Sequence, residues 1–138
     1  MSEWIVRQKI RIPFHYTTGR ALTRFLTGLA ECRLWATRCG ECARVYVPPR
    51  SFCGRCWREI TEWRELPAEG ELMSYTVRPA DPPLILGLIR LDGADTALVH
   101  RLGEVKLEEL ERVVRVRAVW REDRTGSILD IAYFAPAR

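Results

Sequence analysis

The sequence predicts a mainly β protein in which an N-terminal arm and a short helix precede a metal-bound ribbon and a five-stranded barrel. Two features support this prediction. Two Cys-x-x-Cys pairs stand ten residues apart, and after about residue 65 five strand-like segments follow one another, with a short helix between the third and the fourth. We therefore expect the arm and helix in residues 1–32, the ribbon in residues 33–64 and the barrel in residues 65–138.

The front of the chain combines two periodicities. In KIRIPFHY, residues 9–16, apolar and mainly polar residues alternate, which predicts an extended or strand-like arm. Pro13 argues against a central strand, because proline lacks the backbone N–H. The next segment, TTGRALTRFLTGLAE, predicts a helix with Thr17 or Thr18 as its cap. Its apolar residues recur at helical spacing and define one buried face: Leu22, Phe25, Leu26 and Leu29.

Residues 65–138 carry the strand signals. The segments ELMSYTVRP and PLILGLIRL are separated by the breaker ADPP, and ADTALVHRL follows. KLEELER predicts about two helical turns with Leu107 and Leu110 on one face, and VVRVRAVW and SILDIAYF supply the last two strands. This order of elements is that of an OB-fold, a small Greek-key barrel.

Four cysteines form the strongest motif in the sequence: Cys39, Cys42, Cys53 and Cys56. Each pair forms a tight knuckle that brings two sulfurs to one ion, and two pairs complete a tetrahedron. We favour zinc over iron in a rubredoxin-like centre, because no redox partner residues are evident. With four cysteine ligands no position stays open for water or substrate, so the metal is expected to be structural. Cys32 is expected to be a small apolar residue after the helix and not a fifth thiol of the site.

Charge is unevenly distributed along the chain. Residues 1–64 carry 12 basic and 5 acidic residues, a net charge of +7, whereas residues 65–138 carry 10 and 13, a net charge of −3. The front half is therefore expected to meet an anion. In a competing interpretation, its arginines offset the charge of about −2 that four thiolates on one zinc ion carry.

Other functional classes lack support in the sequence. No apolar run reaches the roughly 20 residues of a membrane helix, and the N-terminus has no signal-peptide pattern, so we expect a cytoplasmic protein. His15 and His100 stand without a partnered serine, cysteine or aspartate, and no phosphate-cradling glycine loop occurs. The sequence therefore predicts no catalytic machinery in this chain.

Several segments together resemble one known family. FLTGLAECRLWATRCGECARVYVPPRSFCGRC, GELMSYTVRP and LIRLDG are similar to the small zinc-ribbon/OB-fold proteins that accompany thiolase-like enzymes, and the resemblance runs from about Phe25 to the C-terminus. The chain differs at Ala43 and Trp57, where related knuckles often carry glycine. It also lacks the glycine-methionine pair often found before the fourth barrel strand.

The resemblance implies a non-catalytic accessory subunit with structural Zn²⁺ that binds CoA or acyl-CoA in lipid or aromatic acyl-CoA metabolism. The implied partner is a thiolase, a related acyltransferase, a hydroxymethylglutaryl-CoA synthase or a steroid side-chain aldolase or hydratase, and it holds the nucleophilic cysteine. The expected CoA contacts are Pro49, Arg50, Tyr75 and Arg78, at a cleft between ribbon and barrel. Alternatively, Arg50 screens the thiolates and Tyr75 belongs to the barrel core.

A second hypothesis is a single-stranded nucleic-acid-binding protein, since zinc ribbons and OB-folds both occur in that class. The sequence disfavours it. The second barrel strand, PLILGLIRL, has no aromatic residue on which a base could stack, and the barrel half is net acidic.

Overall fold

A computed structural model describes residues 4–137 of the 138-residue chain. It contains one α-helix, α1, over Gly19–Ala30. The eight strands are β1 Leu34–Arg38, β2 Val45–Tyr46, β3 Glu62–Leu66, β4 Glu69–Arg78, β5 Leu84–Leu91, β6 Leu98–Arg101, β7 Arg115–Trp120 and β8 Ile131–Pro136. Two 3-10 helices span Leu107–Arg112 and Ile128–Asp130. None of the helices in the described range is long and apolar enough to cross a bilayer.

The strands form two antiparallel sheets. The ribbon sheet has the order β2-β1-β3, and the barrel sheet has the order β6-β5-β4-β7-β8. A parallel bridge between Leu102 and Phe134 joins the two ends of the barrel sheet. The prediction of a mainly β protein with a helix, a ribbon and a five-stranded OB-fold is confirmed.

One hydrophobic core connects the helix, the ribbon and the barrel. Phe25 and Leu29 of α1 are fully buried, and they belong to the same cluster of apolar side chains as Leu34 of the ribbon and Ile89 and Phe134 of the barrel. Burying one side chain of this size contributes about 1.5–3 kcal/mol. Because the cluster is continuous, α1 packs against the cores of both sheets. The burial of Phe25 and Leu29 agrees with the apolar face that their spacing predicted.

Three local predictions are wrong in detail. Thr18 occupies the N-cap position of α1, but its hydroxyl contacts that of Thr23 and caps no backbone N–H. The helix after the third barrel strand has about the two turns predicted, in 3-10 form, but it buries only Leu110 and leaves Leu107 exposed. The last strand begins only at Ile131, because Asp130 organises the preceding residues into a capped turn.

The arm that precedes α1 has no regular secondary structure and pairs with no strand among the described residues. Its seven large apolar side chains are each between 64% and 92% exposed: Trp4, Ile5, Val6, Ile10, Ile12, Phe14 and Tyr16. The rings of Phe14 and Tyr16 lie 6.1 Å apart, as expected for alternate residues on one face of an extended segment.

Asp130 is expected to contribute to stability in a pH-dependent way. Burial raises the pKa of its carboxyl, but the backbone N–H groups of Thr125, Ser127 and Gly126 donate to it and lower the pKa below the usual value. The ionised form is therefore the stabilising one, and its contribution is lost as the pH falls through the lowered pKa. Asp130→Asn should lower the free energy of unfolding by about 2 kcal/mol at neutral pH.

Urea unfolding at several pH values checks this expectation. The deficit of Asp130→Asn should shrink below about pH 4, where the unfolded carboxyl protonates. Asp123→Asn is the matched control, because Asp123 is exposed on the same loop. Equal stability of the two variants at pH 7 would contradict the proposed role of Asp130.

Cys32 closes the C-terminus of α1 and lies exposed outside the cysteine cluster. It has φ +59°, the left-handed conformation that glycine adopts most easily, and the N–H groups of Cys32 and Arg33 donate to the carbonyls of Leu29 and Gly28. Cys32→Gly should therefore raise the free energy of unfolding by about 1 kcal/mol. Cys32→Ala, which removes only the thiol, should leave it nearly unchanged in the same denaturation experiment.

Candidate metal centre and neighbouring surfaces

Two knuckles of the same geometry hold the four cysteines. The first forms the turn between β1 and β2, where Cys39 N–H donates to the Arg44 carbonyl and Ala43 N–H donates to the Cys39 carbonyl. The second repeats both bonds, from Cys53 N–H to the Arg58 carbonyl and from Trp57 N–H to the Cys53 carbonyl. Each knuckle therefore presents its two sulfurs from a short hydrogen-bonded turn.

The four sulfur atoms converge on one point. All lie within 4.8 Å of one another, and those of Cys42 and Cys53 are 3.6 Å apart. A tetrahedron with Zn–S bonds of about 2.3 Å has edges of roughly 3.8 Å, so the donor set and its spacing fit zinc. Cys39 and Cys53 are buried, while Cys42 and Cys56 are partly buried. The residues would hold the metal as a closed structural site, which supplies stability and no catalysis.

Hydrogen bonds polarise the cluster. The hydroxyl of Tyr46 lies 3.3 Å from the Cys53 sulfur and lowers the pKa of that thiol to about 6, assisted by the N–H groups of Cys56 and Arg55. Its neighbour Cys42 raises the pKa of Cys56 to about 12. The sulfurs of the cluster therefore share hydrogen bonds with one another, and a divalent cation at their centre would take the place of the shared protons.

Arginines approach the cluster through Tyr46. The guanidinium groups of Arg44 and Arg50 lie 5.6 and 5.4 Å from the centre of its ring, and the backbone N–H of Arg50 donates to the Thr37 hydroxyl. This position is compatible with the alternative that Arg50 screens the thiolates. Arg58 instead pairs with Glu41, and Arg38 pairs with Glu62.

The structure does not bring the four predicted CoA contacts into one cluster. In the loop after β2, Pro49 is buried and Arg50 is exposed. The start of this loop lies against the turn between β5 and β6, where the backbone N–H groups of Val45 and Val47 donate to the side chains of Asp95 and Thr96. Gly70 of β4 pairs with Leu91, the last residue of β5, and therefore lies at the end of the strand next to that turn. Arg78 is eight residues farther along β4, which corresponds to about 26 Å at the rise of a strand. Tyr75, on the same part of β4, is 40% exposed and therefore lies outside the barrel core.

The two histidines occupy different environments. His15 is exposed in the arm. His100 is buried in β6, where its Nε2 lies 3.1 Å from the carbonyl of Ile128 and its ring packs edge-on against Phe134. Neither histidine contacts a cysteine of the cluster.

Exposed aromatic residues border the second knuckle. Sequence reasoning noted Trp57 only as a departure from glycine and did not single out Phe52. Phe52 is 60% exposed and Trp57 is 82% exposed. Trp57 has φ +60°, and Ala43 has φ +63° at the equivalent position, where the related knuckles often carry glycine. A left-handed conformation costs a non-glycine residue about 1–2 kcal/mol. The departure from glycine at Ala43 and Trp57 indicated an unusual backbone conformation, but it did not indicate the exposure of the aromatic rings.

Cation–π contacts join the ribbon sheet to α1. The guanidinium of Arg24 lies 4.5 Å from the ring centre of Trp35 and 4.5 Å from that of Trp63. These contacts join α1 to β1 and β3. Arg33 also lies over Trp35 and forms two hydrogen bonds with Glu65.

Together, these features define a protein with a Cys₄ zinc ribbon and an OB-fold. Residues 26–62 match the family described as the ChsH2 rubredoxin-like zinc ribbon domain, and residues 63–121 match the ChsH2 C-terminal OB-fold domain. The two matched segments adjoin and cover most of the chain, which therefore belongs to this zinc-ribbon/OB-fold family.

Individual relatives agree with this assignment. A DUF35 domain-containing scaffold protein from Methanocaldococcus jannaschii is 29% identical in an alignment of length 112 that covers 72% of this chain and 78% of the relative. The crystal structure of a DUF35-family protein from Sulfolobus solfataricus is 29% identical with a TM-score of 0.58, covering 64% of this chain and 72% of that one. A structure described as the Ltp2-ChsH2(DUF35) aldolase shares the fold at 23% identity and a TM-score of 0.65, over 88% of this chain and 98% of that one.

Proposed function

We propose that this chain is a non-catalytic accessory subunit that binds CoA or acyl-CoA and a thiolase-like enzyme, and that it helps to form the CoA site of that enzyme. One observation carries the proposal: large apolar side chains are exposed along the arm and around the second knuckle, on a chain whose metal site is closed. Concentrated exposed apolar surface is typical of protein interaction sites.

The relatives support an assembling role. The Methanocaldococcus jannaschii relative is described as a scaffold protein, and the structure that shares the fold is described as an aldolase with two named components. In this chain four of the five cysteines meet at one point, where zinc would take up their nucleophilic capacity. We therefore assign the acyl transfer, or the formation or cleavage of a C–C bond, to the partner.

The chemistry of CoA fits two exposed arginines. Guanidinium groups bind phosphate oxygens in a fork, and neither Arg50 nor Arg78 forms an ion pair within residues 4–137. Pro49 lies beside Arg50, and Tyr75 shares β4 with Arg78. Since the two arginines lie apart, we assign the remaining contacts of the CoA site to the surface of the partner enzyme.

Purification of the tagged chain from its source organism tests the complex, and calorimetric titration of the purified complex with CoA tests the ligand. We expect a thiolase-fold enzyme to co-purify. Arg50→Ala and Arg78→Ala should each weaken CoA binding about tenfold, as the loss of one charge-assisted hydrogen bond predicts. Arg101→Ala, at an exposed position on β6, should leave it unchanged.

Two results would contradict this function. Purification of the chain without a thiolase-like enzyme, together with no CoA signal in the presence of candidate enzymes, would end the proposal. Micromolar, salt-sensitive binding of single-stranded DNA would instead favour the nucleic-acid hypothesis. If Arg50→Ala accelerates zinc loss and leaves CoA affinity unchanged, Arg50 screens the thiolates.

A further inference from the structure

The arm has the properties of a strand that lacks its sheet. Residues 4–16 form neither a helix nor a strand, and within the described chain no hydrogen bond or ion pair joins them to the helix, the ribbon or the barrel. Seven large apolar side chains are exposed within these 13 residues, more than in any other segment of that length in the described chain. An isolated segment of this kind cannot offset the entropy of ordering by itself, whereas a partner that buries the apolar side chains would offset it.

The pattern of residues 9–16 defines two different faces. Ile10, Ile12, Phe14 and Tyr16 alternate with Lys9, Arg11, Pro13 and His15. In an extended chain alternate side chains project to opposite sides, so one face of this segment is apolar and the other is mainly cationic or polar. The contact between the rings of Phe14 and Tyr16 agrees with their placement on one face.

Pro13 distinguishes the two backbone edges of the same segment. In a strand, the N–H and C=O groups of residues i and i+2 point to the same edge. The even-numbered edge, from Ile10 to Tyr16, therefore carries a complete set of donors and acceptors. The odd-numbered edge lacks a donor at Pro13. Such a segment suits the outermost position of a sheet, where only one edge must be paired.

The charge of the arm and the position of its base indicate the kind of surface that receives it. Residues 4–18 contain Arg7, Lys9 and Arg11 and no acidic residue. The arm ends beside α1, where Arg20 pairs with Glu59, and Glu59 bridges to Phe52 at the second knuckle. The exposed residue Phe52 is thus linked through Glu59 to the first turn of α1, at which the arm ends.

We propose that residues 9–16 add as an edge strand to an open sheet edge of the partner enzyme. The even-numbered backbone groups pair with that edge, the apolar face packs on the enzyme, and the cationic face lies beside acidic residues. This inference rests on the proposed function and specifies the surface through which the two proteins assemble, a recognised mode of strand addition.

Residue-resolved amide hydrogen exchange on the full chain, alone and with its co-purified enzyme, tests the proposal. We expect the amides of Ile10, Ile12, Phe14 and Tyr16 to be slowed at least tenfold in the complex. Those of Lys9, Arg11 and His15 should exchange nearly as fast as in the free chain. This alternation separates strand addition from helix formation, which would protect consecutive amides, and from contacts of side chains alone, which would protect none.

Two variants test the faces of the arm. Ile12→Asn should weaken association with the enzyme at least tenfold, whereas His15→Asn, three residues away on the other face, should change it less than twofold. Both residues are exposed outside the core, so both variants should fold like the natural chain. A complex that forms with an unprotected arm would overturn the arm proposal alone. Failure of every thiolase-like enzyme to bind would overturn the proposed function and the arm proposal together.

A second copy of the chain is the remaining candidate occupant of the arm. In that case light scattering would show a dimer of the chain without enzyme, with residues 9–16 protected in the dimer. That result would overturn the assignment to the partner enzyme.

Discussion

Cys53→Ser should abolish zinc binding and unfold the ribbon. Cys53 is buried at the centre of the cluster, and its sulfur accepts hydrogen bonds from the Tyr46 hydroxyl and from the N–H groups of Arg55 and Cys56. Structural zinc contributes about 10–16 kcal/mol to small ribbons. This contribution is of the same size as the net stability of an ordinary domain, about 5–15 kcal/mol. The second knuckle has only a small cluster of buried side chains to replace the metal.

Cys32→Ser is the matched control, because Cys32 is exposed and stands outside the cluster. Metal analysis should find one zinc per chain in the natural protein and in Cys32→Ser, and none in Cys53→Ser. The fluorescence of Trp35 and Trp63, which stack on Arg24, reports on the ribbon sheet during unfolding. Retention of zinc and of the natural melting temperature by Cys53→Ser would refute the assigned metal site.

Gly70→Ala should destabilise the barrel by about 3 kcal/mol, at the upper end of the usual cost of overpacking. Gly70 lies on β4, where it faces Leu91 of β5 and Val116 of β7. A Cβ at this position would stand 2.2 Å from the carbonyl oxygen of Arg90 and 2.7 Å from the Cα of Leu91. These are backbone atoms of a paired strand, and they cannot rotate away.

Gly87→Ala provides the comparison within the same hairpin. Its Cβ would meet the side chains of Leu72 and Leu102 at 2.7 and 2.9 Å, and leucine side chains can change rotamer. We expect a loss of about 1 kcal/mol for Gly87→Ala, measured by urea unfolding beside Gly70→Ala. If Gly87→Ala and Gly70→Ala lower the free energy of unfolding equally, the close approach of β4 to β5 is not the cause of the loss in Gly70→Ala.

The sequence predicted the parts of the fold whose signals are local. The cysteine spacing predicted the two knuckles, and the helical recurrence of Phe25 and Leu29 predicted the buried face of α1. Asp130 was missed because its role depends on three backbone N–H groups that converge only in the folded turn. The helical turns at Leu107–Arg112 were predicted without their 3-10 form, because the spacing of Leu107 and Leu110 fits either kind of helix.

The candidate binding surface was harder to predict than the metal site. Tyr75 and Arg78 lie close to the ribbon in the sequence, but β4 carries them to its distant end. The exposure of Phe52 and Trp57 could not be predicted, because a small ribbon places aromatic residues both in its core and on its surface. The position and exposure of these side chains depend on how distant segments of the chain pair, and a single sequence does not show that pairing.

In the proposed complex, the exposed arm also has a consequence for the rate at which the chain and the partner enzyme associate. Residues 4–16 can reach about 40 Å when fully extended, so the arm enlarges the capture radius of the chain. Its three cations add electrostatic attraction during the encounter. Added salt should then lower the association rate constant. The dissociation rate constant should change little, because it depends mainly on the contacts of the apolar face.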